Sequence, residues 1–88
     1  MKCVIVEDEK IQALMLEKLL KEEGIDVLAI ENDAEKAVKI IDALKPDMVF
    51  LDINLGAYDG FYVIENTSYK PYIVFTTAYS EYAVKAFE

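Results

Sequence analysis

Three apolar runs in this chain each end in residues capable of chemistry. Cys3-Val4-Ile5-Val6 is followed by Glu7-Asp8-Glu9, Met48-Val49-Phe50-Leu51 by Asp52, and Tyr72-Ile73-Val74-Phe75 by Thr76-Thr77-Ala78. If each run is a buried strand of one parallel sheet, carboxylates and hydroxyls gather at its C-terminal edge, where open α/β sheets bind ligands. Carboxylates clustered there suit a hard cation such as magnesium, which takes oxygen ligands and keeps several waters. A carboxylate is also a nucleophile toward phosphorus, giving an aspartyl phosphate. The protein then has to position the donor and neutralise developing charge, through a metal and fixed donors. In that chemistry Asp52 suits the nucleophile, and Glu7 and Asp8 suit metal ligation from the neighbouring strand. The Asn54 backbone carbonyl would add an oxygen ligand, and Thr77 would hydrogen-bond a phosphoryl oxygen.

Each of these residues has a plainer role available. Asp52 alone would cap a turn. Glu7-Asp8-Glu9 would open a helix, where acids suit the macrodipole, and threonine is common at strand ends. Their combination favours the chemical reading. Tyr79 and Tyr82 read as packing or surface aromatics, and the apolar helix stripes as core.

The elements that must position these residues follow from periodicity. The continuous apolar run at 3–6 reads as a strand covered on both faces, and 27–30, 48–51 and 72–76 read as the second, third and fourth strands. Between the first two, Ile11, Leu14, Met15, Leu19 and Leu20 recur at helical spacing, and Gly24 is a helix stop. Ala34, Ala37, Val38, Ile41 and Leu44 make the stripe of a second helix, with Asn32 as N-cap and Glu35 three residues on. Pro46 bars its continuation and biases Lys45 toward extended geometry. Residues 54–60 form a loop with Asp59-Gly60 as a turn signal, and 61–66 a short helix. Ser80 caps a last helix carrying Tyr82, Ala83, Ala86 and Phe87. Alternating strands and helices predict a parallel α/β sheet.

Composition narrows the function. Eighty-eight residues allow one small domain at most, and 55% hydrophobic content supports a core. Nine basic against 17 acidic residues, a net charge of −8, argue against direct nucleic-acid binding by this segment. The absence of histidine excludes a Ser-His or Cys-His pair and a histidine-ligated zinc site. The single Cys3 excludes an internal disulfide and reads as a small buried hydrophobe. With no signal peptide or membrane span in view, the expected location is cytoplasmic.

Taken together, these residues resemble the receiver domain of two-component response regulators. The matching segments are Val4-Ile5-Val6-Glu7-Asp8-Glu9, Pro46-Asp47-Met48-Val49-Phe50-Leu51-Asp52-Ile53-Asn54-Leu55, Asp59-Gly60 and Phe75-Thr76-Thr77-Ala78, in register along the whole chain. Any one piece is weak; the combination is specific. The resemblance implies a flavodoxin-like sheet of order 2-1-3-4-5 with helices on both faces. It implies Asp52 as phosphoacceptor, Glu7 and Asp8 as the acidic pair holding magnesium, the Asn54 carbonyl as a further ligand and Thr77 as the switch hydroxyl. The phosphoryl donor would be a sensor histidine kinase, and the segment a signalling domain rather than an enzyme. Residues 79–88 are similar to receivers that precede a LytTR-type DNA-binding domain, which implies a transcription-regulating output domain.

The resemblance also places the family's fifth strand, last helix, lysine and switch aromatic beyond Glu88, so 1–88 reads as a receiver domain incomplete at its C-terminus. Lys70 precedes its strand, at the opposite end of the sheet, and Lys85 lies on the last helix. Neither takes the lysine's place. Gly56 stands where the family usually has proline, which changes loop stiffness rather than chemistry. An apolar strand at 72–76 without a neighbour predicts a dimer, or exchange of a strand or segment, through residues 72–88. Two rivals remain. One is a phosphorylation-dead receiver serving as a dimerisation module. The other is a haloacid-dehalogenase-like phosphatase, which would want an acid at Asn54 and its nucleophile on the first strand.

Overall fold

Side-chain alternation along the first strand, β1 (Lys2–Val6), sets the layering. Successive strand residues point to opposite faces. Val4 and Val6 pack with α2 (Ala34–Leu44) and α3 (Gly60–Asn66), whereas Cys3 and Ile5 pack with α1 (Lys10–Glu22). Residues 3–6 are completely buried, as a strand covered on both sides must be. β3 (Met48–Leu51) repeats the division, with Val49 and Leu51 on the α2/α3 side and Met48 and Phe50 on the α1 side. The structure, a computed structural model, describes residues 1–55 and 58–76, except for the side chain of Tyr58.

With β2 (Asp26–Glu31) and β6 (Tyr72–Phe75), these strands form a parallel sheet of order β2-β1-β3-β6. This is the flavodoxin-like order, with β6 as the fourth parallel strand. Between β3 and α3, β4 (Asn54–Leu55) and β5 (Tyr58–Asp59) pair antiparallel, where the sequence reads only as loop.

Helix ends follow local chemistry. α1 stops in a Schellman motif: Ile25 N–H donates to Leu20 O, Gly24 N–H donates to Lys21 O, and Gly24 takes φ +78°. The Ile25 side chain packs in the same apolar cluster as Leu20. The cap of α2 is Asp33 rather than Asn32; its carboxylate accepts from Lys36 N–H at 2.9 Å. Asn and Asp cap equally well; Glu31 Oε1 accepts from the N–H groups of both Asn32 and Asp33, and α2 begins directly after Asp33. Lys45 is left-handed (φ 49°, ψ 58°) rather than extended. Its N–H closes onto Ile41 O, the way αL caps end helices. Asp42 reaches out of α2 to accept from the backbone N–H groups of Ser68 and Tyr69, fixing the turn that leads into β6.

The stripe on α1 is the largest correction. Ala13 and Leu20 are buried, but Ile11 is 74% exposed, and Leu14, Met15 and Leu19 are exposed too. Leu44 on α2 is likewise exposed. Helical spacing marks one face of a helix; it does not say how much of that face has a neighbour. Among the described residues, α1 is the only helix on its side of the sheet. No helix among them is long and apolar enough to cross a membrane.

Candidate functional site

Register brings the acidic residues together. Val6 pairs with Leu51 and Leu51 with Phe75, so the next residues, Glu7, Asp52 and Thr76, leave the sheet side by side. Asp52 N–H donates to Val6 O at 2.9 Å, Glu7 N–H to Glu31 O and Thr76 N–H to Leu51 O, each at 3.0 Å, extending the ladder one residue past the strands. One carboxylate oxygen from each of Glu7, Asp8 and Asp52 lies within 4.8 Å of the others. Glu7 is buried, Asp52 half-buried and Asp8 exposed. Two backbone donors orient the carboxylates: Glu9 N–H to Glu7 Oε1 and Asn54 N–H to Asp52 Oδ1, both 3.2 Å. A cleft of about 330 Å³, lined in part by Glu7, Asp8, Lys10 and Asn32, opens beside the cluster.

Electrostatics make this arrangement costly without a cation. Burial first, and then a hydrogen bond to Asp52, push the Glu7 carboxyl up from 4.5 to about 7. The Glu9 N–H opposes the shift, and the Asp52 and Asp8 charges reinforce it. The raised carboxyl favours the protonated form of Glu7 on the acid side of neutral, hydrogen-bonded to Asp52. A divalent cation removes the need for that proton by supplying positive charge where three carboxylates meet. Oxygen-only donors, with one exposed carboxylate open to water, fit magnesium.

The pH dependence follows with a definite sign. Between pH 4.5 and 7 folded Glu7 keeps a proton that the unfolded chain has lost, so its contribution to stability falls as pH rises. In chelator, Glu7→Gln is expected to remove this slope and to melt above wild type at pH 8. Melting temperatures at pH 5, 6, 7 and 8 check it; a wild type that does not fall relative to Glu7→Gln contradicts the protonated Glu7.

Of the residues singled out in the sequence, Glu7, Asp8 and Asp52 meet, and Asn54 touches Asp52 through its N–H. Thr77 lies outside the described residues, as do Gly56, Tyr79, Ser80, Tyr82 and Lys85. Its neighbour Thr76 has a buried hydroxyl with no hydrogen-bond partner among the described residues. Lys70 is remote, its Nζ donating to Ile64 O and Thr67 O at the end of α3. Asp59 does more than turn the chain: it is the N-cap of α3, accepting from Tyr62 N–H at 3.1 Å. The signal for that was present, an Asp immediately before an apolar stretch.

Comparison with known proteins places the chain in a family. The family profile of the response regulator receiver domain matches residues 3–88. A response regulatory protein of Yersinia pestis is 40% identical over 91 residues, covering 100% of this chain and 38% of that protein. The transcriptional regulatory protein YpdB of Escherichia coli K12 is 39% identical over 92 residues, with the same coverage. The crystal structure of the response regulatory domain of mrkE from Klebsiella pneumoniae superposes with a TM-score of 0.86 at 36% identity, covering 99% of this chain and 75% of that one. The chain thus spans 38% of the length of these two curated relatives.

Proposed function

This chain belongs to the response regulator receiver domain family, and from that premise we propose that Asp52 accepts a phosphoryl group from the phosphohistidine of a sensor histidine kinase and thereby switches an output domain. The observation that carries the reading is the meeting of Glu7, Asp8 and Asp52 at the C-terminal sheet edge. An Asp52 carboxylate oxygen forms the new bond to phosphorus, and the bond from phosphorus to the donor's imidazole nitrogen breaks. Glu7, Asp8, Asp52 and the Asn54 carbonyl would hold magnesium, whose charge offsets that developing on the phosphoryl oxygens. The Asn54 N–H keeps the Asp52 carboxylate oriented. Thr77, next along from Thr76, supplies the switch hydroxyl.

The segment acts as a signalling domain, taking one phosphoryl group rather than turning over substrate. Its acidic surface leaves nucleic-acid contact to an output domain, of the LytTR DNA-binding class by resemblance; relatives such as YpdB are named as transcriptional regulators. A cytoplasmic location goes with that role.

Treating the full-length protein with acetyl phosphate is expected to add one phosphoryl mass per chain with magnesium and none with chelator. No incorporation under either condition would leave a phosphorylation-dead dimerisation module. Continuous release of many equivalents of phosphate would point to a phosphatase.

Residues 1–88 on their own are expected to self-associate. β6 is an outer strand of the described sheet, α1 presents Ile11, Met15 and Leu19 to solvent, and both features invite pairing with a second copy. Light scattering over a concentration series should give a dimer or larger species involving residues 72–88. A cooperatively folding monomer at high micromolar concentration contradicts it.

A further inference from the structure

Two glycines lie among the described residues, and they differ in kind. Gly24 has φ +78° and open space around it, so its conformation demands glycine. Gly60 is not among the positive-φ residues, yet it is buried. A Cβ built on it would sit 2.7 Å from the Asp52 carbonyl oxygen, 3.0 Å from Ile53 Cα and 3.2 Å from Leu51 Cγ. The two nearest atoms are backbone of the segment that carries the Asp52 carboxylate. Backbone has no rotamer to escape into, so any side chain at 60 has to displace the Asp52–Ile53 peptide itself.

Further backbone pairing closes around that contact. Gly60 N–H donates to Ile53 O at 2.6 Å, Asn54 pairs with Asp59, and Asp59 caps Tyr62 N–H. The start of α3 and the Asp52 peptide therefore form one packed unit. We propose that Gly60 is a positioning residue: the missing side chain lets the α3 N-terminus seat against the Asp52–Ile53 peptide, which aims the Asp52 carboxylate and the Asn54 carbonyl. The proposal rests on the receiver reading of the site. Moving the Asp52 carbonyl rotates the peptide between the two groups and strains the Asn54 N–H to Asp52 Oδ1 bond.

The test compares Gly60→Ala with Ile41→Val in the full-length protein. Ile41 is fully buried on α2 and serves as a packing control. Both substitutions should lower the melting temperature. Only Gly60→Ala is expected to weaken magnesium affinity, read by calorimetry, and to slow labelling by acetyl phosphate at saturating magnesium, each by about tenfold or more; a 1 Å misplacement costs up to about a hundredfold. Should Gly60→Ala not fold, Asp59→Ala decides, because it frees the same helix start without adding atoms. It should weaken magnesium binding several-fold, while Asp59→Asn, which still caps, should not. Magnesium affinity and labelling rate within twofold of wild type in a folded Gly60→Ala, or unchanged affinity in Asp59→Ala, overturns the proposal. A wild type that takes no phosphoryl group and no magnesium removes the receiver reading and the proposal together.

Discussion

Asp52→Asn is expected to reduce phosphoryl incorporation into the full-length protein to background, with the fold intact. An amide oxygen occupies the same space and can still accept the Asn54 N–H, so packing survives. What disappears is the anionic oxygen that would attack phosphorus in the proposed reaction. Asp47→Asn is the matched control. Asp47 lies at the other end of β3, where its carboxylate accepts from Lys2 N–H; that substitution should leave labelling unchanged. Intact mass after acetyl phosphate and magnesium reads both. Label persisting in Asp52→Asn would move the nucleophile elsewhere.

Asp8→Ala is expected to remove magnesium binding while scarcely changing the metal-free protein. Asp8 is exposed, and exposed substitutions away from packed features usually stay within about 0.5 kcal/mol. Its carboxylate is nevertheless one of three whose oxygens lie within 4.8 Å. Magnesium is bound through few carboxylates and keeps several waters, so each anionic ligand carries a large share of the attraction. The affinity loss should exceed the 10- to 100-fold, roughly, that follows loss of an outer-shell partner. In wild type, magnesium at about a hundred times its dissociation constant stabilises by about 2.7 kcal/mol. Asp8→Ala should show no such rise in melting temperature. An equal rise in both proteins would place the cation elsewhere.

What the sequence made legible was whatever depends on the order of residues along one strand or one helix. The runs at 3–6, 48–51 and 72–75 lie on strands, and because each ends one residue short of a polar group, the register sets Glu7, Asp52 and Thr76 abreast. Contacts between distant segments were not legible. The spacing of Ile11, Leu14, Met15 and Leu19 reads as a core stripe, but burial depends on what stands opposite. Asn32 and Asp33 are equivalent caps by chemistry, and residue type alone does not choose between them. Asp59-Gly60 was visible as a pair; that Gly60 must be small depends on the Asp52 carbonyl oxygen, eight residues back in the chain. The upward push on the Glu7 carboxyl comes first from burial, which no linear pattern encodes.

The most direct test locates the phosphoryl group. The full-length protein is treated with acetyl phosphate and magnesium, the acyl phosphate is trapped by borohydride reduction, and the modified residue is mapped by peptide mass spectrometry. Reduction at Asp52 alone, once per chain and only when magnesium is present, is the expected result. Modification at Glu7, Asp8 or any other residue, or none at all in a folded protein that binds magnesium, would contradict Asp52 as the phosphoacceptor.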